Sequence, residues 1–534
     1  MRIHSVKIKN FRSIVSCDFE FADLLVLVGK NNSGKSSIID AIEMLLFKNK
    51  VNSVYDFNNT SKPVEIEVSF NNLTVFEKEK LNTYLDGDNF ILKKNFFYKE
   101  KNNGESDSES KMFYIKDGKD NPTKAQNIFT GETLPEFYKV PAVKELKEET
   151  KIIGTTYFGK FLDLIFESDD YDFRNLDNLL GLIKKELERD DENAPLVKSA
   201  EEIEKIMCEQ FKDCGLTFRI DTPKRKDLIN KLEIFVNDDQ DTPLSTKGHG
   251  TQRAFIFSIL LLYAKKLNNK FGQIEGKNKK NIIIAIEEPE IYLHPHQQRI
   301  IYNLFKKLAD NEGERIQIIY STHSSFMVNI EDYKYLGFVS KNSSSEGAKI
   351  TQYTKDIFEG DDKEEFKMVC QFDPERNEMF FADKIILCEG DTEKHSLPVI
   401  FDKLGLNLID RRVSIIECGS KNNIPLFEKV LNKFNEKENR FNYYVFHDSD
   451  TPPKKFKNEA EKNRLEEEAK NLNQAILNLS SVDKIFVFNS DFESHLSLTI
   501  GDSDKPYKVK KQLSEKKEAD LPVDLSEFIK RNFV

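Results

Sequence analysis

The sequence contains no tryptophan and only six cysteines among its 534 residues. None of the cysteines forms a C-x-x-C pair, so neither a zinc ribbon nor a disulfide framework is suggested. A reducing compartment fits this pattern best, and we expect a cytoplasmic protein. The N-terminal residues alternate apolar with polar like a strand and unlike a signal peptide. No apolar run reaches the roughly 18 residues that a membrane-spanning helix needs, so no membrane partner is expected.

Charge is abundant but is not predominantly positive. Charged residues make up 32% of the chain, and the formal net charge is −11. This balance argues against a protein that is basic over its whole surface, yet it leaves room for a local basic groove that binds nucleic acid. The length suggests about two to four domains, and the 42 phenylalanines are expected mostly in their cores.

The N-terminal part predicts strands around one helix, which runs from Lys35 to about Phe47. A polar stretch over 101–110 predicts a loop, and the pattern turns helical from about 145 to 235. The predicted strands cover 2–9, 18–28, 63–70 and 90–98.

Strands alternate with helices in the rest of the chain. A strand over 282–287, a helix and a strand over 316–320 form a first block. Polar residues of poor periodicity over 340–382 predict a linker, and the alternation resumes at Lys384. A polar, lysine-rich tail follows from about residue 501. Such alternation predicts parallel sheets, here in two separate units.

A phosphate-binding loop is the most specific motif. The segment GKNNSGKS from Gly29 to Ser36 matches G-x-x-x-x-G-K-[ST], between the apolar strand LLVLV and a helical stretch. In this context backbone N–H groups wrap phosphate oxygens, Lys35 reaches the β- and γ-phosphates of ATP, and Ser36 holds Mg²⁺. The predicted nucleotide-binding residues are Gly29, Asn31, Asn32, Gly34, Lys35, Ser36 and Ser37.

Further residues complete a nucleotide site. The segment IIIAIEE is a strand buried on both faces that ends in two carboxylates. Glu287 is predicted to organise the Mg²⁺ shell, and Glu288 to orient the attacking water. His323 follows the strand IQIIYST and is placed to hydrogen-bond a γ-phosphate. A turn that opens a helix, LSTKGHGTQR, is predicted as a second phosphate reader for the nucleotide of another subunit.

Together with Asn10-Phe11-Arg12, these motifs resemble the ABC-type ATPase heads of the SMC-like group. In that group two heads sandwich two ATP molecules, so the resemblance implies a homodimer or higher homo-oligomer. It adds Arg12 to the nucleotide site and implies that Ser245, Lys247 and Gly248 reach across the dimer. SMC proteins insert a long coiled coil into the head, whereas the segment 145–235 is short and suits a compact helical dimerisation element.

A second acidic cluster is predicted near the C-terminus. Glu389 ends a strand, Glu393 lies one turn into the next helix, and NYYVFHDSD is a strand that ends in Asp448 and Asp450. Neighbouring parallel strands deliver side chains at the same edge of a sheet, so these carboxylates should converge. Hard oxygen ligands of this kind bind Mg²⁺ or Mn²⁺. Two such ions about 4 Å apart would stabilise the attacking and leaving oxygens of an in-line displacement at a phosphodiester.

Two later features extend this cluster. Glu493 follows the strand DKIFVF and is a further candidate metal ligand. The lysine-rich segment KPYKVKKQLSEKK is a candidate for binding backbone phosphates and for supplying a charge-stabilising lysine.

The order E-G-x-x-E and then D-x-D resembles the TOPRIM domain. An SMC-like head followed by a TOPRIM domain is the layout of the OLD (overcoming lysogenisation defect) family of ATP-dependent endonucleases. The resemblance implies metal binding at the five carboxylates and a late catalytic lysine, with Lys505 the first choice and Lys508 the second. The Gly-rich segment of the family is represented by ECGSKN, with a single glycine at 419.

The resemblance implies an α/β fold, an ABC-type P-loop ATPase with a helical insertion followed by a Rossmann-like TOPRIM domain. Glu288, His323, Glu389, Asp448 and Lys505 would be catalytic. The expected domains are an ATPase N-terminal lobe over 1–144, a helical dimerisation insertion over 145–235, an ATPase C-terminal lobe over 236–375 and a TOPRIM nuclease domain with a basic tail over 376–534.

We expect a DNA endonuclease that depends on ATP and on Mg²⁺ or Mn²⁺ and that serves in bacterial anti-phage defence. Its partner would be DNA, together in some family members with a helicase-like protein or a reverse-transcribed DNA complex. Two alternatives stay open: an ATP-dependent DNA clamp or sensor that does not cut, and the ATPase scaffold of a defence complex. The residues also leave open whether ATP licenses or restrains cutting.

Overall fold

In the computed structural model the chain forms two compact units. The first consists of Met1–Val140, Asn281–Glu290 and His294–Val534, and the second of Pro141–Lys280 and Ile291–Leu293. The structure describes residues 1–47, 53–100, 106–123, 133–142, 162, 172–187, 195–208, 215–218, 233–237, 239–273, 281–311, 313, 315–341, 343, 345–370, 373–500 and 504–534. Within these ranges no helix is both long and apolar enough to cross a membrane.

The elements are numbered in chain order. The strands are β1 (Arg2–Phe11), β2 (Ile14–Glu20), β3 (Leu24–Val28), β4 (Val64–Asn71), β5 (Leu85–Asp86), β6 (Asn89–Glu100), β7 (Ser106–Lys116), β8 (Lys119–Thr123), β9 (Glu136–Val140), β10 (Phe235–Asn237), β11 (Asp241–Pro243), β12 (Ile282–Glu287), β13 (Ile316–Thr322), β14 (Leu336–Ser340), β15 (Lys349–Gln352), β16 (Lys384–Cys388), β17 (Val413–Glu417), β18 (Asn442–Asp448) and β19 (Ile485–Phe488). The helices are α1 (Lys35–Phe47), α2 (Val75–Leu81), α3 (Arg174–Leu187), α4 (Pro195–Cys208), α5 (His249–Gln273), α6 (Pro295–Ala309), α7 (Asp361–Cys370), α8 (Pro374–Asn377), α9 (Asp391–Lys403), α10 (Ile424–Asn435), α11 (Glu459–Leu479), α12 (Phe492–His495), α13 (Lys505–Glu515) and α14 (Val523–Phe533).

An antiparallel sheet opens the first unit, with strand order β2-β1-β4-β6-β7-β8 and with β5 on β6. Alternate residues of β4 are fully buried, as expected for a sheet with one face on the core. The predicted polar loop over 101–110 is wrong for residues 106–110, which form the first half of β7. Residues of β6 and β7, such as Glu100 and Ser106, pair through their backbones. Backbone pairing does not require apolar side chains, so a polar segment can form a strand.

A second, mainly parallel sheet follows in the order β15-β14-β3-β13-β12-β9, with β15 antiparallel to β14. The continuous strand predicted over 18–28 is two strands, β2 and β3, because the chain leaves the antiparallel sheet and enters the parallel one between them. Strands β3 and β13 are buried along their whole length, and β12 is buried up to Glu287. These three neighbouring strands carry the nucleotide-site motifs.

The linker predicted over 340–382 is wrong. Residues 349–352 pair with β14, and α7 lies in the same stretch. Phe366 of α7 packs against Phe427, with ring centroids 6.0 Å apart, and Thr351 Oγ1 donates to Glu438 Oε2 at 2.7 Å. The segment therefore joins the parallel sheet to the C-terminal region by tertiary contacts. Such contacts cannot be predicted from a short polar sequence.

The described part of the second unit includes helices α3 and α4, a long helix α5 and the short β10–β11 hairpin. Helices α3 and α4 confirm the helical pattern predicted from about 145 to 235 over the residues that they span. Most of the other residues of that predicted segment lie outside the described residues.

The C-terminal region contains a parallel sheet in the order β17-β16-β18-β19, which confirms the second predicted parallel sheet. The polar tail predicted after residue 501 is wrong, because α13 and α14 pack on this sheet. Phe533 meets Phe401 with ring centroids 5.0 Å apart, and Phe528 meets Phe446 at 5.4 Å. Apolar residues of both helices complete the core of this region, among them Val509, Leu513 and Ile529.

Candidate nucleotide and metal sites

The phosphate-binding loop connects β3 to α1, as the motif predicts. Lys35 is only 6% exposed, and its ammonium donates to the carbonyls of Gly29 and Lys30 at 2.9 and 3.0 Å. Gly29 leaves no room for a Cβ, which would lie 2.3 Å from the carbonyl oxygen of Val339. Gly34 has φ +110°, a conformation that L side chains rarely adopt. Both glycines are therefore required by the local backbone.

The charged groups around this loop influence one another. Burial lowers the pKa of Lys35 to about 8, against the opposing effect of Glu288 and Glu290. Burial and the nearby Lys35 also lower the pKa of His323, whose Nε2 lies 3.8 Å from Glu288 Oε1. Glu290 accepts the His323 backbone N–H at 2.7 Å. A neutral histidine beside a carboxylate can donate to or accept from a phosphate oxygen or a water.

A cavity of about 890 Å³ opens over the loop, large enough for a nucleotide. Most of the predicted nucleotide-site residues of the first unit line it, and three further residues do so as well. The lining residues are Arg12, Ser13, Asn31, Asn32, Ser33, Gly34, Lys35, Ser36, Ser37, Glu288, His323 and Lys341. Lys341 was missed because it follows β14 inside the stretch that the sequence predicted as a linker.

Two predicted residues of this site have protein partners. Arg12 pairs with Asp40 and, at 2.8 Å, with Asp56, so its guanidinium links α1 to the 3₁₀ turn that ends at Asp56 and also lines the cavity. Glu287 lies 3.3 Å from Lys139 and does not line the cavity. Its predicted place in an Mg²⁺ shell remains a hypothesis.

The turn that was predicted to contact the nucleotide of another subunit lies in the second unit. Ser245 belongs to a short 3₁₀ turn, Leu244–Thr246, and Gly248 immediately precedes α5. Gln252 Nε2 donates to the carbonyls of Lys247 and Ser245, at 2.8 and 3.3 Å, and so fixes the turn on the first turn of the helix. The predicted role of this turn toward a second subunit is a proposal.

The acidic cluster is assembled by the parallel pairing of β16 with β18. Cys388 pairs with Phe446 across the two strands, so Glu389 and Asp448 leave the sheet at the same edge. Glu389 Oε1 accepts the backbone N–H of Asp448 at 2.6 Å. The sequence-based prediction that these two strand ends converge is confirmed.

Burial and mutual repulsion dominate the electrostatics of this cluster. Burial, followed by the charges of Glu389, Glu393 and Asp450, raises the pKa of Asp448 to about 9. Burial raises the pKa of Glu389 to about 7. Asp448 Oδ1 is buried and has no hydrogen-bond partner among the described residues. A buried carboxylate oxygen without a donor, surrounded by other carboxylates, is the environment that a cation stabilises.

The other predicted ligands already have partners of the opposite polarity. Glu393 accepts the backbone N–H of Gly390 at 3.1 Å. Asp450 pairs with Lys421 at 2.8 Å, and Glu493 pairs with Lys505, also at 2.8 Å. Across the described ranges, no group of three His, Cys, Asp or Glu side chains could hold a metal ion in its present position. The donor set fits Mg²⁺ or Mn²⁺ in its chemistry, while amides and ammonium groups stabilise the positions seen.

Three lysines surround this cluster, and the sequence pointed to only one of them. Lys505, the predicted catalytic lysine, is brought to Glu493, and its charge also acts on Glu393 and Asp448. Lys421 is 6% exposed and lies in the single-glycine segment after β17. Lys454 pairs with Asp491 at 2.8 Å. The position of Lys421 in ECGSKN is a signal that could have singled it out. The alternative catalytic lysine, Lys508, is half-buried on α13.

Three other histidines near the two sites, His447, His495 and His294, make hydrogen bonds to backbone groups. His447 is buried, its Nδ1 lies 2.8 Å from the Asp448 carbonyl, and burial lowers its pKa to about 4. His495 Nδ1 accepts the Asn489 N–H at 3.1 Å. His294 caps the start of α6.

Comparisons with known proteins match both regions. A family model described as "AAA ATPase domain" matches residues 1–328, more than half of the chain. A model described as "Overcoming lysogenization defect protein-like, TOPRIM domain" matches residues 380–450. The second match includes Glu389, Glu393, Asp448 and Asp450.

Curated relatives are similar over long alignments. The chain is 24% identical over 536 residues to the OLD nuclease of Thermus scotoductus (strain ATCC 700910 / SA-01), across 94% of this chain and 93% of that protein. It is 26% identical over 459 residues to the Old nuclease of Escherichia phage P2, across 81% and 75%. It is 26% identical over 386 residues to the endonuclease GajA of Bacillus cereus (strain HuB5-5), across 65% and 51%. The chain therefore belongs to the AAA ATPase domain family, and its C-terminal region contains a TOPRIM domain of the kind found in OLD-like proteins.

Proposed function

We propose that the protein is an ATP-dependent DNA endonuclease whose TOPRIM domain cuts a phosphodiester with the help of Mg²⁺ or Mn²⁺. The observation that carries the proposal is the convergence of Glu389 and Asp448 at one sheet edge, where a buried Asp448 oxygen lacks a donor. Gathering repelling carboxylates destabilises a fold and is typical of a site with a chemical task. The names of the relatives, OLD nuclease and endonuclease GajA, support the same activity.

The chain supplies defined roles at this site. Glu389, Glu393, Asp448, Asp450 and Glu493 would hold the divalent cations, two in the arrangement we propose. Bound cations of this kind polarise a phosphate and activate a water for in-line attack. Lys505, at the rim beside Glu493, is placed to neutralise charge that develops on the phosphate.

The ATPase head would control access to this site. Lys35 and the loop amides would bind the ATP phosphates, Ser36 and Glu287 the Mg²⁺, and Glu288 with His323 would orient water at the γ-phosphate. Ser245, Lys247 and Gly248 would contact the nucleotide of a second subunit, which makes a homodimer the expected functional state. A role in bacterial anti-phage defence in the cytoplasm, alone or with a partner, completes the proposal.

A plasmid assay tests the proposal directly. Supercoiled DNA is incubated with the purified protein in Mg²⁺ or Mn²⁺, with and without ATP, beside Glu389→Ala and Lys35→Ala. We expect nicking or linearisation that Glu389→Ala abolishes and whose ATP response Lys35→Ala removes. Cutting that survives in Glu389→Ala would show that the activity comes from elsewhere.

One observation favours a second candidate, an ATP-dependent DNA clamp that does not cut. The carboxylates other than Asp448 have amide or lysine partners, and in the described ranges no group of three could hold a metal ion in its present position. ATP-dependent retention on circular DNA, without cutting at any divalent cation concentration, would select this candidate.

A further inference from the structure

A cavity of about 380 Å³ lies directly beside the acidic cluster of the TOPRIM domain; we call it the side cavity. Asp450, a proposed metal ligand, and Asp491, which precedes Glu493, both line it. A group that enters the side cavity therefore lies next to the place where a phosphodiester would be cut. Its occupant has to be compatible with a phosphate bound at that neighbouring position.

Two walls of the side cavity are apolar, and polar residues line the rest. Pro452 and Pro453 form one wall directly after the D-x-D carboxylates. Leu465, Ala469 and Leu472 of α11 form another, and their spacing places them on one face of the helix. Leu465 and Leu472 are half-buried, so apolar surface remains that no described side chain covers completely. Such walls suit a flat, uncharged group.

The charged groups of the side cavity exclude a phosphate from its interior. Asp450, Glu468 and Asp491 are acidic, and the lysine that lines it, Lys454, is paired with Asp491 at 2.8 Å. Carboxylate oxygens accept hydrogen bonds, so they favour a ring that carries N–H or NH₂ donors. A nucleobase has the flat apolar faces and the polar edge that this lining requires.

The outer edge of the side cavity has the opposite charge. The loop TPPKKFKN continues from the proline wall with Lys454, Lys455 and Lys457, and it exposes Phe456 to 46%. Lysines alternating with an exposed aromatic ring bind a nucleic-acid strand through its phosphates and its bases. The strand would follow this loop while one base turns inward.

We propose that the side cavity receives one base of the DNA strand, rotated out of the stack beside the scissile phosphodiester. This inference rests on the proposed nuclease function and deepens it by naming a feature of the substrate. Rotating a base out of a duplex has a free-energy cost that is smallest at mispaired or single-stranded positions. The protein should therefore prefer DNA that is mispaired or single-stranded next to the cut.

Variants that fill the side cavity test the proposal. Ala469→Phe adds a ring inside it, and Ala460→Phe makes the same change at an exposed position of the same helix. Leu465→Trp narrows the side cavity from a half-buried position, where a larger side chain can extend toward solvent. The substitution also introduces the chain's only tryptophan, whose fluorescence emission reports on the side cavity. ATPase activity and thermal unfolding of each variant show whether the protein is folded.

The probe is a DNA duplex with 2-aminopurine at a single mispaired position, bound to the full-length protein with Ca²⁺ in place of Mg²⁺. Because none of the described residues that line the side cavity is aromatic and could quench the base, we expect the fluorescence of 2-aminopurine to rise severalfold. Ala469→Phe and Leu465→Trp should abolish this rise and slow Mg²⁺-dependent cutting at least tenfold. Ala460→Phe should leave both the fluorescence and the cutting within twofold of the wild type.

The two proposals fail separately. Fluorescence that does not rise, or that rises equally in both filled variants, overturns the assignment of the side cavity even if plasmid is still cut. Plasmid that stays intact, while fluorescence rises in the wild type and not in the filled variants, overturns the nuclease function and supports the base-binding cavity.

Discussion

The affinity of the TOPRIM site for divalent cations should depend steeply on pH. Burial and neighbouring carboxylates raise the pKa of Asp448 to about 9, and burial raises the pKa of Glu389 to about 7. At pH 7 only about 1% of the Asp448 side chains would be ionised. A cation binds the carboxylate form, so protons and cations compete for the same oxygens.

The direction and the size of the pH dependence of cation affinity follow from these two pKa values. Below pH 7 the cation displaces a proton from both Glu389 and Asp448, so the apparent affinity should rise about a hundredfold per pH unit. Between pH 7 and 9 only Asp448 loses a proton, and the rise should be about tenfold, or about 1.4 kcal/mol, per unit. Above pH 9 the affinity should level off.

The raised pKa of Asp448 also makes the stability of the cation-free protein depend on pH. The folded-state pKa of Asp448 lies above its unfolded value of 3.8, so the folded state holds the extra proton. Its contribution to stability is fully present below about pH 4 and is lost as the pH rises through about 9. Cation-free protein should therefore unfold more easily at alkaline pH, and Mn²⁺ should reverse the loss.

Calorimetric titration with Mn²⁺ at pH 7, 8 and 9 measures this dependence. Asp448→Asn removes the titrating group and should flatten the curve above pH 7, whereas the exposed Asp410→Asn should leave it unchanged. An affinity that differs less than twofold between pH 7 and pH 8 in the wild type would refute the reasoning.

Three further outcomes can be checked. Lys30 of the phosphate-binding loop pairs with Asp383, just before β16, at 2.6 Å; both are partly exposed, so the pair should contribute about 0.2–1 kcal/mol. Asp383→Asn should change the ratio of the cleavage rates with and without ATP by no more than about fivefold. A larger change in this ratio would show that Asp383 acts through more than its ion pair with Lys30. Burial raises the pKa of Glu428 to about 8, so its stabilising contribution is lost as the pH rises from about 4.5 through 8. Glu428→Gln should remove that loss in urea unfolding curves, and parallel curves for the two proteins would contradict it. Lys35→Met should weaken ATP binding at least tenfold by equilibrium titration, since Lys35 lines the nucleotide cavity, and unchanged affinity would exclude this loop as the ATP site.

The sequence by itself determined the elements that depend on local pattern. A phosphate-binding loop requires glycines and a lysine at fixed spacing, and Gly29, Gly34 and Lys35 lie in the loop as the spacing predicts. Apolar strands such as β3 and β12 as far as Ile286 are recognisable because both of their faces are buried. The convergence of Glu389 and Asp448 followed from the rule that neighbouring parallel strands end at one edge.

Tertiary structure alone decided which groups meet across long separations. The stretch over 340–382 is polar, yet it adds a strand to the parallel sheet because backbone pairing and a few buried rings suffice. Lys421 reaches Asp450 from a different strand end, and no local pattern encodes that distance. The side cavity likewise arises only where α11 passes over the proline loop. Contacts of this kind depend on how whole elements pack, and packing depends on residues far apart in the chain.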